Sequence, residues 1–241
     1  MTRALLFLVL AGPALADPAP LAAVGKLDLR GEAACSGTLI APDLVLTAGH
    51  CLKGDPNEPK FEPGEIVFRP GRTPGQKPPD PIAGLSMTVH PFWDFRVGPR
   101  GMRMAFDLGV LRLAEPVSAD VARPLDFGGL PDLGEAVLVA SYRGGRGEIA
   151  RQRRCPVIEA NHAVAGLGCP VDFGESGSPM LRLGDDGPLI VGVLANKGII
   201  EGQPVGFGPV TLTGVESVIE HLENIEALES KQNSRGLEAA N

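Results

Sequence analysis

The chain has no apolar run of about 18 residues or more, so nothing in it reads as a helix able to span a bilayer. It has no excess of positive charge either: 22 basic residues stand against 29 acidic ones, a net charge of −7 over 241 residues. That balance lacks the electrostatic footprint of a general nucleic-acid binder. The four cysteines include no C-x-x-C pair. A zinc site needs such closely spaced ligands, so neither metal nor cofactor is expected. No internal repeat is visible. What the chain has in quantity is Gly (32) and Pro (23). Both interrupt helices and supply turns, which disfavours a long helical bundle and favours many short strands. At 44% the hydrophobic content is that of an ordinary globular protein. The length suffices for one large all-β domain or two small ones.

The first residues read as an export signal. Arg3 precedes a wholly apolar run from Ala4 to Leu10, and Ala14-Leu15-Ala16 follows. A positive start, a short apolar centre and an A-x-A end are the parts of a secretory leader. Residues 1–16 are therefore expected to be removed, and residues 17–23 form a short N-terminal segment or pro-region. An exported chain sits in the periplasm or outside the cell. In that oxidising setting four cysteines suggest two disulfides, for which three pairings exist.

Along the chain, Val24 to Leu29, Ser36 to Ile40, Leu44 to Thr47, Ile66 to Phe68, Met87 to Val89 and Leu108 to Leu113 read as strands. Phe92 to Met104, with three arginines and two glycines, reads as a long exposed loop. A second series follows at Ala136 to Ala140, Pro156 to Ile158, Val171 to Phe173, Pro179 to Arg182 and Leu189 to Leu194, with a turn at Gly166-Leu167-Gly168. Val215, Val218, Ile219, Leu222, Ile225 and Leu228 recur at helical spacing. The expected layout is thus a first half over 24–118, a second over 119–213, a helix over 214–229 and a flexible tail over 230–241.

Three segments carry chemistry: Thr47-Ala48-Gly49-His50-Cys51, Asp107-Leu108-Gly109-Val110-Leu111 and Gly174-Glu175-Ser176-Gly177-Ser178-Pro179. Singly, each has an ordinary structural reading as a structural histidine, a strand-opening aspartate or a loop. Together, in this order, they describe a nucleophile system. A serine hydroxyl is a weak nucleophile at neutral pH and needs a base to take its proton. Imidazole titrates near the working pH and can return that proton to the leaving group. A carboxylate fixes the imidazole tautomer.

These blocks resemble the chymotrypsin-like (trypsin-like) serine protease family, and more closely its small exported bacterial branch. Cys35-Ser36-Gly37-Thr38-Leu39-Ile40 with Val45 to Cys51 is similar to the block around the family's catalytic histidine. The chain order His, Asp, Ser is the family's order. The resemblance implies His50 as base, Asp107 as its orienting partner and Ser176 as nucleophile. It implies an oxyanion hole at the N–H groups of Gly174 and Ser176, and disulfides Cys35–Cys51 and Cys155–Cys169. Two antiparallel six-stranded β-barrels with the site in the cleft between them would follow, closed by the C-terminal helix. His90-Pro91 resembles a family segment in which the histidine is structural.

The sequence also departs from the family. Gly49 stands where alanine is usual. Glu175 replaces the aspartate that pairs with a new N-terminus in the animal digestive enzymes, and no Ile-Val-Gly-Gly start exists. Activation by N-terminal insertion is therefore not expected. Ala195 stands where a serine usually bonds the catalytic aspartate, so Asp107 is expected to lack that bond. The specificity pocket would lie near Pro170, Val171 and Asp172, facing Ala195, Asn196 and Lys197. Lys197 there attracts an acidic side chain, narrows the pocket or points to solvent. No Lys/Arg specificity is expected. Arg143, Arg146, Arg151, Arg153 and Arg154 form a basic cluster that reads as a solvated face or a dock for an acidic partner.

The leading reading is an exported serine endopeptidase, a monomer acting on peptide or protein substrates. The alternatives are a catalytically impaired homologue that binds or scaffolds a partner, and a hydrolase of non-peptide esters.

Overall fold

The computed structural model of the chain describes residues 20–53, 61–72, 75–94, 100–143 and 150–239. The expected leader, residues 1–16, and Arg146 of the basic cluster lie outside the described residues.

Six strands form the first half: β1 (Val24–Leu29), β2 (Ala33–Ala41), β3 (Leu44–Thr47), β4 (Ile66–Arg69), β5 (Ile82–Val89) and β6 (Gly109–Leu113). They close into a barrel in the order β1-β2-β3-β6-β5-β4, every neighbour antiparallel. Alternation along a strand selects the inner face. In β1, Leu27 and Leu29 are buried while Lys26 and Asp28, which precede each of them, are half-buried. Leu39, Leu46, Phe68 and Leu111 complete the interior.

The second half contains β7 (Ala136–Ser141), β8 (Arg151–Ala160), β9 (Val164–Leu167), β10 (Pro179–Gly184), β11 (Gly187–Val193), β12 (Asn196–Ile200) and β13 (Gln203–Pro209). Their order is β11-β10-β7-β8-β9-β13-β12. β11 and β12 are separated only by Leu194 and Ala195. There the chain changes partners: Leu194 N–H donates to Ser178 O at 2.8 Å, and Ala195 N–H donates to Phe207 O at 2.9 Å. Taken as one interrupted strand, β11–β12 joins β10 to β13 and makes the second barrel six-stranded. A bridge between Gly192 and Val210 sits at the closure. The all-β, two-barrel class is the one expected from the sequence.

Three local expectations are corrected. Val171 to Phe173 is loop and Gly166-Leu167 is strand, because the β8–β9 turn comes earlier. Asn161 Oδ1 accepts the N–H groups of Ala163 and Val164 there, at 2.8 and 2.9 Å. The segment expected as one exposed loop contains a helix, α2 (Arg100–Ala105), and a buried Trp93. Packing of α2 against β9 and β13 outweighs the loop-like composition. The residues expected as a tail from 230 continue a helix, α3 (Thr211–Ala239). Neither proline nor glycine interrupts the stretch from Val215 to Arg235, so a helix anchored at its start propagates through polar residues. That anchor is Val215, Val218 and Leu222, buried against the barrel. Arg112 ties it down, reaching Glu226 and Asp43 at 2.8 Å each.

The halves meet through Tyr142, the only tyrosine. Its hydroxyl donates to Val24 O at 3.2 Å. Burial pushes its pKa up to about 12, so it remains a neutral donor at any physiological pH.

Candidate active site

β3 ends at Thr47, and the chain turns into a short helix, α1 (Gly49–Lys53), whose first turn carries His50. The Cys35–Cys51 disulfide, with a Cα–Cα distance of 6.2 Å, ties this turn to β2. β3 pairs directly with β6, so Asp107, two residues before β6, arrives beside His50. Its carboxylate grips His50 at two points. Oδ1 accepts the His50 backbone N–H at 2.9 Å, and Oδ2 lies 2.9 Å from Nδ1. An ionised carboxylate only accepts, so Nδ1 carries the proton and Nε2 keeps its lone pair. Burial alone pulls the His50 pKa down. The charge of Asp107 and its hydrogen bond outweigh that and leave His50 above its ordinary value.

Asp107 has a further partner. Asn196 Nδ2 donates to Oδ2 at 3.4 Å. The bond expected to be missing at Ala195 is thus supplied, at longer range, by the neighbouring residue. Gly49 also has a local reason: a Cβ there would lie 3.3 Å from Asp107 Oδ1 and 3.0 Å from Leu108 O.

Ser176 sits half-buried on the loop between β9 and β10. The loop is clamped onto the first barrel by Ser36. Ser36 N–H donates to Ser176 O at 2.8 Å, and Ser36 Oγ donates to Gly174 O at 2.9 Å while accepting Tyr142 N–H at 2.9 Å. Gly177 has φ +81°, and a Cβ on it would come within 2.0 Å of Ser36 O. Only glycine fits this contact. The N–H groups of Glu175, Gly177 and Ser178 donate to Asp172 O, Leu194 O and Glu175 O. Among the described residues no carbonyl takes the N–H of Gly174 or of Ser176. These are the two groups from which the resemblance builds an oxyanion hole.

Glu175, next to Ser176 in the chain, is buried. Its Oε1 accepts from Ser141 Oγ at 3.0 Å and Arg153 Nη2 at 3.4 Å, and its Oε2 accepts Asp172 N–H at 2.7 Å. A buried carboxylate without a cation costs several kcal/mol. Here Arg153 of β8, inside the same half, supplies the charge.

No metal fits. The sulfurs of Cys35 and Cys51 and a ring nitrogen of His50 cluster within 4.8 Å, but both sulfurs are consumed in the disulfide and are not thiolates.

The trypsin-like peptidase domain profile matches residues 35–193. The chain belongs to the trypsin-like peptidase family. It is similar to human serine protease 56, 29% identical over 166 residues, which is 65% of this chain and 26% of that protein. It is 31% identical to a trypsin of Saccharopolyspora erythraea over 45% of this chain and 44% of that one. Against human kallikrein-2 it is 33% identical over 50% of this chain and 44% of that one. The matches span less than half the length of these relatives. The fold is similar to a solved Glu endopeptidase in complex with MPD, with a TM-score of 0.66 and 22% identity over 86% of this chain and 93% of that one.

Within this trypsin-like domain the six expected pocket residues are not all brought together. Ala195 and Asn196 line a cavity of about 270 Å³ beside His50 and Asp107, with Trp93, Arg103 and Met104. Val171 and Lys197 line a second cavity of about 550 Å³ with Gly198, Ile199, Pro204 and Val205. Pro170 is exposed and lines neither. Asp172 is bonded by Arg143 through Nε at 3.0 Å and Nη2 at 2.7 Å, because it lies level with the start of the β7–β8 connection. The basic cluster is therefore partly internal bracing, with Arg143 and Arg153 bonding Asp172 and Glu175 of the Ser176 loop. His90 is buried and stacked on Phe106, ring centroids 4.6 Å apart, a structural role as expected. The second disulfide, Cys155–Cys169, joins β8 to the approach to the nucleophile loop. Sequence reasoning missed Ser36, Thr47 (Oγ1 to Ser36 O, 2.8 Å), Trp93, Arg103 and Met104. Nothing local marks them, since their roles come from long-range contact.

Proposed function

We propose that the chain is an exported serine endopeptidase that cleaves peptide bonds through an acyl-enzyme. The two-point grip of Asp107 on His50 is the observation that carries this reading. A carboxylate held there keeps Nε2 unprotonated and facing away, the state a general base needs. In the first step Ser176 Oγ attacks the scissile carbonyl carbon while His50 Nε2 takes the hydroxyl proton. Negative charge collects on the carbonyl oxygen, where the N–H groups of Gly174 and Ser176 receive it. One such donor is worth about 2.7–4 kcal/mol in the transition state. The imidazolium, stabilised by Asp107, then gives its proton to the leaving amine, and the acyl-enzyme remains on Ser176. Water, deprotonated by His50, releases the acid and restores the serine.

The reading of an impaired homologue rested on Glu175, Ala195 and Lys197. The first two supports weaken. Glu175 has its own cation in Arg153, and Asn196 reaches Asp107 where Ala195 does not. The Arg153–Glu175 pair supports activity without N-terminal processing. Two disulfides suit an oxidising compartment, and no described helix is long and apolar enough to cross a membrane. Residues 1–16 serve as the leader in this reading, which N-terminal sequencing of exported protein tests.

A fluorophosphonate probe tests the chemistry. Purified mature protein is expected to label at Ser176. Label should vanish in Ser176→Ala and fall sharply in His50→Ala. Well-folded protein that takes no label overturns the reading.

A further inference from the structure

We propose that Ser36 is a positioning residue for the reaction: its side-chain hydroxyl holds Gly174 in the orientation that keeps the oxyanion donors open. The inference rests on the endopeptidase reading above and deepens it, by naming what sets the oxyanion site from outside the nucleophile loop.

Ser36 lies on β2 of the first barrel and is fully buried. Each of its polar groups is committed. Its N–H donates to Ser176 O at 2.8 Å, and its C=O accepts Thr47 Oγ1 at 2.8 Å. Its Oγ has two partners at 2.9 Å, Tyr142 N–H and Gly174 O. An N–H only donates and a carbonyl only accepts, so the single hydroxyl proton goes to Gly174 O. Ser36 therefore holds two carbonyls of the loop. They belong to Gly174 and Ser176, the same two residues whose N–H groups are the oxyanion donors.

Gly174 needs such a hold. Its φ is +85°, and glycine takes positive and negative φ with similar ease. No side chain of its own selects that orientation. A buried carbonyl that loses its donor gains by turning toward another one. Rotation of Gly174 would redirect its N–H at the same time. Oxyanion donors act only when they already point at the developing charge, so a freed Gly174 weakens charge stabilisation. The base half lies outside this effect. Asp107 grips His50 through bonds that do not involve Ser36.

The test compares a peptide ester with its thionoester, in which sulfur replaces the carbonyl oxygen that becomes the oxyanion. Sulfur is a weak acceptor, so the oxyanion donors assist the ester far more than the thionoester. Rates are expressed per site titrated with the fluorophosphonate probe. The wild-type protein is expected to favour the ester by about tenfold or more in kcat/KM. Ser36→Ala keeps the N–H and removes the hydroxyl. It should lower kcat/KM on the ester by about 10–100-fold, less than outright removal of a donor, and shrink the ester-to-thionoester ratio by about fivefold or more. The pH midpoint of kcat/KM should stay at the wild-type value. Ser36→Gly removes the same hydroxyl with a smaller residue and replaces Ser36→Ala if that variant does not fold. Tyr142→Phe loses the bond to Val24 O but keeps the N–H on Ser36, so it loosens the contact between the halves without freeing Gly174. Its ratio should match the wild type. A ratio that survives loss of the Ser36 hydroxyl, or that falls equally in Tyr142→Phe, overturns the proposal and leaves the peptidase reading standing. So does a shifted pH midpoint in Ser36→Ala, which would place the effect on the base. A wild-type protein that takes no label overturns both.

Discussion

His50 and Asp107 stand on one closed barrel, each within three residues of a strand, and β3 pairs with β6 to bring them together. Ser176 stands on a loop whose shape depends on both halves at once. Ser36 of the first barrel, itself bonded by Thr47, holds it from one side, and Ser141 and Arg153 of the second hold it from the other. The His50–Asp107 pair is thus built within one barrel, with only the long Asn196 bond to Asp107 coming from the second. The nucleophile half is complete only when the two barrels dock. This difference separates changes that should act on chemistry alone from changes that should act through assembly.

The largest effect is expected from Asp107→Asn, which removes the charge of the base half and leaves its shape. An amide forces the wrong imidazole tautomer, and kcat/KM should fall about 10⁴-fold. The pH profile should move as well. Only neutral His50 accepts a proton, and Asp107 raises its pKa against the lowering effect of burial. Wild-type activity is therefore lost as pH falls through a value above 6.5. In Asp107→Asn that midpoint should drop, which a pH–rate profile measures. An unchanged midpoint would remove Asp107 as the cause.

Gly177→Ala attacks the nucleophile half. A positive φ costs a non-glycine residue about 1–2 kcal/mol, and overpacking against the Ser36 carbonyl adds about 1–3 kcal/mol. Probe labelling should be lost while the first barrel stays folded. If labelling survives, the clamp on Ser36 is not what shapes the loop.

Replacing Cys35 and Cys51 together by alanine should cost about 3 kcal/mol of stability, as expected for a loop of this length. The denaturant midpoint reports it. Labelling in the folded fraction should persist, since Asp107 still holds His50. Loss of labelling at full folding would show that the base half, too, depends on more than its carboxylate.

The smallest effect belongs to Asn196→Ala. It removes one long hydrogen bond to Asp107, worth about 0.5–1.5 kcal/mol, and should lower kcat by tenfold or less with KM unchanged. A larger loss would make Asn196 a principal support of the base.

Much of the base half was legible from the chain alone. His50, Cys51 and Asp107 sit beside short apolar, β-prone runs, and such runs are a local signal. The expected β1, Val24–Leu29, coincides with the observed strand for the same reason. The nucleophile half was less legible. Gly177 could be read as turn chemistry, but its need for a bare Cα comes from the Ser36 carbonyl, 141 residues earlier. Arg153 was noticed as one of several arginines, yet its partner Glu175 could be named only after β8 was placed beside β7. Lys197 kept three readings, and its contact with Phe173 could be named only once β12 was placed near residue 173. The helix beyond residue 229 was missed because propagation from a docked end leaves no apolar period to read.

The sequence by itself determined the all-β class, the reactive residue types and their order along the chain. Composition and short-range periodicity encode strands and turns, and chemistry restricts which side chains can serve as base and nucleophile. Only the tertiary structure decided which group neutralises Glu175, which amide replaces the missing bond to Asp107, and which carbonyl leaves room for no residue but Gly177. Each of those is a contact between segments far apart in the chain, and pairing at that range is set by how the two barrels close and dock.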